Sequence, residues 1–261
     1  MKISKNLDVT ESTFKSPIET KWPENNVVTV RHYRASDKFA VVVLPQRGGG
    51  YNIAPVIASY LATNGISAYE VETPLSGRRR PKEKTIDELI SNVDEFKQMF
   101  HQAITEVRGV LDFVTEREIG ICGISLGAMY ASIVYGVDSR VSSACLVMAA
   151  GNLAGIVFDS DDRFAKYLRA YLDKEGITKE QLKTELKDIE PCTYVNPDKG
   201  RNLLMVNGLH DKYLPIEFAK ELALAWKHGE SMLFNGGHNS AILRIPCILP
   251  RILEHYQRTL V

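Results

Sequence analysis

Ser125, Asp211 and His238 are the residues of this chain whose types and order point to acyl chemistry. A serine hydroxyl is a weak nucleophile near neutral pH. It needs a base within hydrogen-bond reach, and the base needs a third group to orient it. Ser125 lies in Gly123-Ile124-Ser125-Leu126-Gly127, a G-x-S-x-G pentapeptide. Three fixed letters arise by chance in roughly one chain in ten at ordinary Gly and Ser usage, so the flanks carry the argument. Upstream is the strand-like run Glu118-Ile119-Gly120-Ile121-Cys122, and downstream is the helix-like run Ala128 to Tyr135. A strand turning sharply into a helix holds a serine in strained backbone with its hydroxyl exposed at the sheet edge.

The base and the acid follow from position. His238 comes after Ser231-Met232-Leu233-Phe234-Asn235-Gly236-Gly237, a strand ending in two glycines. It therefore sits on a loop at a strand end, which in a parallel sheet is the edge that carries Ser125. The bland alternative is a loop histidine without a role. His32, His101, His228 and His255 lie in or beside helices and strands and read as surface or packing residues. Asp211 follows the strand-like Leu203 to Val206 through Asn207-Gly208-Leu209-His210, again at that edge. Its bland alternative is a turn aspartate capping the helix after Pro215. His210 beside it is open to a supporting role.

Arg78, Arg79 and Arg80 form a third cluster, after the strand-like Ile66 to Val71. Three arginines at that edge are suited to a carboxylate or phosphate on a substrate. They equally describe a solvated turn with local ion pairs.

The elements that must position these residues alternate. Val27 to Tyr33 alternates as a half-buried strand does, and Phe39 to Leu44 is continuously apolar. The first 25 residues are polar and read as a short edge strand or a loose arm. A helix is expected over about Ile53 to Thr63. A long amphipathic helix, or two in series, is expected from Thr85 to Thr115, with apolar residues at spacings of three and four. Val141 to Met148 is another buried strand, Ile216 to Lys227 a helix, and Cys247 to Thr259 the last helix. Strand alternating with helix predicts an α/β fold with a mostly parallel central sheet. Residues 155–197 break the alternation: they are charged and helical in pattern, and they read as a small helical cap inserted into a core of 1–154 and 198–261.

Bulk composition narrows the function. The 261 residues include 32 Lys plus Arg and 32 Asp plus Glu. That balance argues against a nucleic-acid binder built on a phosphate-neutralising face. Cys122, Cys145, Cys192 and Cys247 form no C-x-x-C pair and no Cys/His spacing of a zinc site. They read as free thiols in a reducing compartment. With no signal-like N-terminus and no run near the roughly 18 apolar residues of a membrane span, the expectation is a cytoplasmic protein. No cofactor or metal is implied.

The order serine, aspartate, histidine, together with Val41 to Gly50, Gly123 to Gly127, Val206 to Asp211 and Gly236-Gly237-His238, resembles the α/β-hydrolase superfamily. Within it the chain is somewhat like the dienelactone-hydrolase and peptidase-related branches. The resemblance covers nearly the whole core and implies the α/β-hydrolase fold, a nucleophile elbow at Ser125 and an oxyanion hole. One oxyanion donor would be the N–H of Leu126. The other would come from the loop after the first buried strand, where many members carry His-Gly and this chain carries Pro45-Gln46. Proline has no N–H, so Arg47 is the expected donor, with Gln46 as the alternative. The glycine triplet at 48–50 lacks the endings of phosphate-binding loops. The implied activity is hydrolysis of a carboxylic ester or related small-molecule acyl compound. Acyl transfer, cleavage of short peptides and low-turnover ligand binding share the same residues. The oligomeric state is open.

Overall fold

The structure, a computed structural model, describes residues 7–48 and 53–260, with the side chains of 86 and 87 outside that description. Eight strands form one sheet: β1 (Asp8–Lys15), β2 (Val27–Arg34), β3 (Phe39–Leu44), β4 (Ser67–Val71), β5 (Glu118–Ile124), β6 (Val141–Val147), β7 (Leu203–Gly208) and β8 (Glu230–Phe234). Their order is β1-β2-β4-β3-β5-β6-β7-β8. β1 and β2 pair antiparallel, as do β2 and β4; every other neighbour is parallel. This is the mostly parallel α/β-hydrolase sheet. Of the polar stretch before residue 26, Asp8–Lys15 form an edge strand rather than a loose arm.

The helices cover both faces. α1 (Ala54–Thr63) follows β3; α2 (Ile86–Leu89) and α3 (Val93–Leu111) precede β5; α4 (Leu126–Val137) follows β5. α5 (Leu153–Asp159), α6 (Arg163–Glu175) and α7 (Lys179–Glu185) lie between β6 and β7, α8 (Ile216–Trp226) precedes β8, and α9 (Ala241–Thr259) ends the chain. One core cluster packs α3, α4 and the β6–β7 helices on one face of the sheet. The other packs α1 and α9 on the opposite face.

Two helical regions bear on the sequence expectation, and one of them differs from it. Of the two alternatives for 85–115, the structure has two helices in series, because Asn92 caps α3 by accepting from the Glu95 N–H at 2.9 Å; a new cap means a new helix start. The last helix begins at Ala241, six positions before Cys247, and runs through Pro246 and Pro250. Its apolar Ala241, Ile245, Ile248, Leu249 and Ile252 are buried against the sheet, and that burial overrides the helix-breaking tendency of proline. Among the described residues no helix is long and apolar enough to cross a membrane.

Candidate active site

β3 pairs with β4 on one side and β5 on the other, so the connections leaving β3 and β5 diverge to opposite faces. That reversal opens a crevice at the C-terminal ends of the strands, the usual ligand position in an open α/β sheet. Ser125 stands there, between β5 and α4, with φ 54° and ψ −118°. A non-glycine residue in such a backbone costs energy and persists only when its surroundings over-determine it. Here they do. The Ser125 N–H donates to the Val147 carbonyl of β6 at 2.8 Å. A β-carbon at position 123 would stand 2.3 Å from the Gly127 carbonyl oxygen, so the start of α4 lies directly on the end of β5.

Asp211 and His238 come from the two neighbouring strand ends. The pairing of β7 and β8 continues past the sheet: the Leu209 N–H donates to the Phe234 carbonyl (3.0 Å) and the His210 N–H to the Gly236 carbonyl (2.9 Å). The two loops are thus held side by side. His238 Nδ1 lies 2.8 Å from Asp211 Oδ2, and His238 Nε2 lies 2.9 Å from Ser125 Oγ. The other carboxylate oxygen, Oδ1, accepts the N–H groups of Tyr213 (2.8 Å) and Leu214 (2.9 Å). With both oxygens engaged and the residue buried, the carboxylate cannot turn away from the imidazole. A carboxylate accepts, so the ring donates from Nδ1 and leaves Nε2 to accept the serine hydroxyl. This is the hydrogen-bonded geometry that general-base activation of a serine requires. Tyr213 flanks the imidazole, ring centroids 5.2 Å apart.

The serine faces a cavity of about 470 Å³. Its walls are mainly apolar: Phe96 from α3, Met129 from α4, Leu153, Ile156 and Val157 from α5, and Phe164 and Ala165 from α6. Gln46, Arg47, Leu126 and Asp162 also line it. The Leu126 N–H, at the first turn of α4, donates no hydrogen bond among the described residues. An unpaired helix-start N–H beside a serine is suited to a developing anion. Gly49 and Gly50 of the glycine triplet lie outside the described residues.

The arginine cluster is not brought to this cavity. Arg79 is buried and makes two 2.6 Å contacts with Glu106, and it also donates to the backbone carbonyls of Asn25 and Glu72. Arg78 is bound by Glu11 at 2.9 and 3.0 Å, and Arg80 lines no part of the serine cavity. The expectation of a substrate-binding arginine triplet fails for Arg79 because all its donating edges are spent on the protein. Arg78 faces a separate polar cavity of about 350 Å³ with Arg31, Glu70 and Glu72. His210 is exposed, and its backbone N–H is the group that ties the Asp211 loop to the His238 loop. Sequence reasoning missed Asp162, whose carboxylate meets the Arg47 guanidinium at 2.5 Å; the two are 115 positions apart, and no local pattern links them. Among the described residues, no group of three His, Cys, Asp or Glu side chains is placed to hold a metal ion.

The sequence model of the family described as alpha/beta hydrolase domain containing 18 matches residues 3–160, more than half of the chain and including Ser125. No curated protein matches. Among solved structures, the Pyrococcus furiosus esterase Pf2001 is similar with a TM-score of 0.66 and 15% identity over 98% of this chain and 94% of its own. The α/β hydrolase GrgF from Penicillium sp. sh18 gives a TM-score of 0.66 at 16% identity, over 97% and 99%. The Pyrococcus horikoshii acylaminoacyl peptidase gives 0.70 at 16% identity; the match covers 98% of this chain and 42% of that one. At these identities the likeness is one of fold.

Proposed function

This chain belongs to the family described as alpha/beta hydrolase domain containing 18, and on that premise we propose that it is a serine hydrolase cleaving a carboxylic ester or a related small-molecule acyl compound. The observation that supports this reading is the continuous line Ser125 Oγ, His238 Nε2, His238 Nδ1, Asp211 Oδ2, with both contacts under 3 Å, opening onto an apolar cavity.

Ser125 attacks the acyl carbonyl while His238 takes its proton. Asp211 holds the imidazole in the required tautomer and stabilises the imidazolium. The N–H groups of Leu126 and Arg47, with Gln46 as the alternative, stabilise the oxyanion. His238 then protonates the leaving group, and water attacks the acyl-enzyme with His238 again as base. Residues 155–197 act as a cap whose inner face supplies the apolar acyl-binding wall. The four cysteines are free thiols, which supports a reducing, cytoplasmic setting.

The test is labelling by a fluorophosphonate with a panel of p-nitrophenyl esters run in parallel. Wild type should be labelled once and turn over esters; Ser125→Ala should do neither. An unlabelled, folded wild type would overturn the reading. Faster release with an added alcohol acceptor than with water would redirect it to acyl transfer.

A further inference from the structure

The contact between Arg47 and Asp162 joins two parts of the protein with different duties. Arg47 lies on the loop after β3, which is pressed onto the nucleophile turn. Asp162 is the N-cap of α6: its Oδ1 accepts the Ala165 N–H at 3.1 Å, while Oδ2 takes the Arg47 Nη2 at 2.5 Å. The pair is largely covered, with 27% and 15% of the two side chains exposed. Covered, charge-assisted pairs hold geometry better than solvated ones. The guanidinium also stands over the Phe164 ring, 5.2 Å from its centroid, and that ring packs on Phe96 at 5.4 Å. The Arg47 side chain is therefore fixed by a carboxylate at its end and an aromatic face beside it.

The Arg47 side-chain contacts act on a segment that ends in a glycine turn. Gly48 follows with φ 87°, a conformation glycine enters freely. The carboxylate and the aromatic face that hold the Arg47 side chain restrain the backbone at 47, directly beside this glycine. The turn that supplies the anchor is itself held from two other directions. Arg169 donates to the carbonyls of Val157 and Ser160 at 3.0 Å each. The Asp161 N–H donates to the Lys212 carbonyl, one residue past Asp211, at 2.8 Å. One short turn, 160–162, thus touches both the loop of the acid and the loop expected to bind the oxyanion.

We infer that Asp162 is a positioning residue: by holding the Arg47 guanidinium it sets the backbone N–H of the 46–47 segment toward the oxyanion, so that the β6–β7 helices and the oxyanion hole form one mechanical unit. The inference rests on the serine-hydrolase reading. It assigns the Arg47 side chain to alignment, not to substrate charge.

The test compares wild type with Asp162→Asn, Arg47→Met and the double variant. Asparagine retains the N-cap, so α6 is preserved while the charge is lost; both Arg47→Met and wild type carry a backbone N–H at position 47. Steady-state kinetics use p-nitrophenyl butyrate. Binding is read with butyl trifluoromethyl ketone, which forms an oxyanion adduct on the serine, and with the unreactive methyl ketone of the same chain. Full loss of an oxyanion donor costs about 10²–10³-fold, so misalignment should lower kcat by about 10- to 100-fold. KM and methyl-ketone affinity should hold, and trifluoromethyl-ketone affinity should fall with kcat/KM. The double variant should be no worse than either single one, as expected of two residues acting as a unit. Asp162→Glu should recover part of the loss. A kcat unchanged in Asp162→Asn, additive losses, or equal losses for both ketones would overturn the inference. If Asp162→Asn does not fold, Arg47→Lys, which keeps the charge and loses the planar fork, carries the same comparison. If wild type is labelled and active while the variants match it, only the alignment role falls. If wild type is neither labelled nor active, the serine reading falls and takes this inference with it.

Discussion

Gly127 sits so close to the loop after β3 that a β-carbon on it would stand 2.4 Å from the carbonyl oxygen of Pro45. The neighbour is backbone, which cannot rotate aside as a side chain would. Gly127→Ala must therefore push α4 and the 45–48 loop apart. We expect a loss of about 1–3 kcal/mol in stability, typical of overpacking, with a larger fractional loss of ester turnover. Urea midpoints and kcat on the same preparation check this; a stable, fully active Gly127→Ala enzyme would contradict it.

The strained backbone at Ser125 should be visible as stability. Alanine at φ 54° keeps the strain, whereas glycine relieves it. Both substitutions lose the same hydroxyl contact with His238. Ser125→Gly should exceed Ser125→Ala by about 1 kcal/mol, or roughly 3 °C in Tm for a domain of this size. Equal melting temperatures would mean the turn relaxes around the smaller residue.

Arg79 and Arg78 should separate cleanly. Arg79→Leu leaves Glu106 buried without its partner and should cost about 3–5 kcal/mol. Arg78→Ala breaks an exposed pair and should cost no more than about 1 kcal/mol. Arg78→Ala should also leave kcat/KM for neutral esters unchanged. Denaturant titration and ester kinetics on the two variants distinguish these outcomes.

The arginines also mark the limit of what the sequence discloses. Apolar runs such as Phe39–Leu44 and Leu203–Val206 announce buried parallel strands, because a strand covered on both faces has no polar side to show. The positions of Ser125 and Asp211 are legible for the same reason, since each follows such a run, and that of His238 because it follows a strand parallel to them, so that its end lies on the same edge. Neighbours in a turn, by contrast, diverge within one residue. Arg78 faces Glu11 and Arg79 faces Glu106, 67 and 27 positions away, and nothing in three adjacent arginines separates them. The same holds for Arg47 and Asp162. The start of α9 was hidden by Pro246, a residue that locally signals a boundary and is outweighed by the burial of its neighbours.

His255 should give the protein a distinctive acid response. Burial, with Arg258 nearby, pushes its imidazole down to about 4 from the ordinary 6.5, and it lies against Ser143 Oγ at 3.0 Å. The unfolded chain takes up this proton near 6.5, and the folded one resists until about 4. Between those values the unfolded state binds more protons, so stability falls as pH drops from 6.5 to 4. The full effect is on the order of 3 kcal/mol. Asp138 acts lower. The Arg140 and Arg108 guanidiniums hold its carboxyl well below the usual 3.8, so its contribution is intact above that value and is lost only below it. Urea titrations at pH 7, 5 and 4 should show the first slope in wild type and a weaker one in His255→Gln.

The sheet order has a further consequence. β8, whose trailing loop carries His238, is one of the two edge strands of the sheet and pairs with β7. β5, which carries Ser125, lies in the interior between β3 and β6. His238 and Ser125 therefore hang from an edge strand and an interior strand of one scaffold. Fraying of a single marginal strand would disarm the serine while six or seven strands stay paired. On warming, ester turnover should fade at a lower temperature than the far-ultraviolet circular dichroism, and it should return on cooling without any refolding of the core.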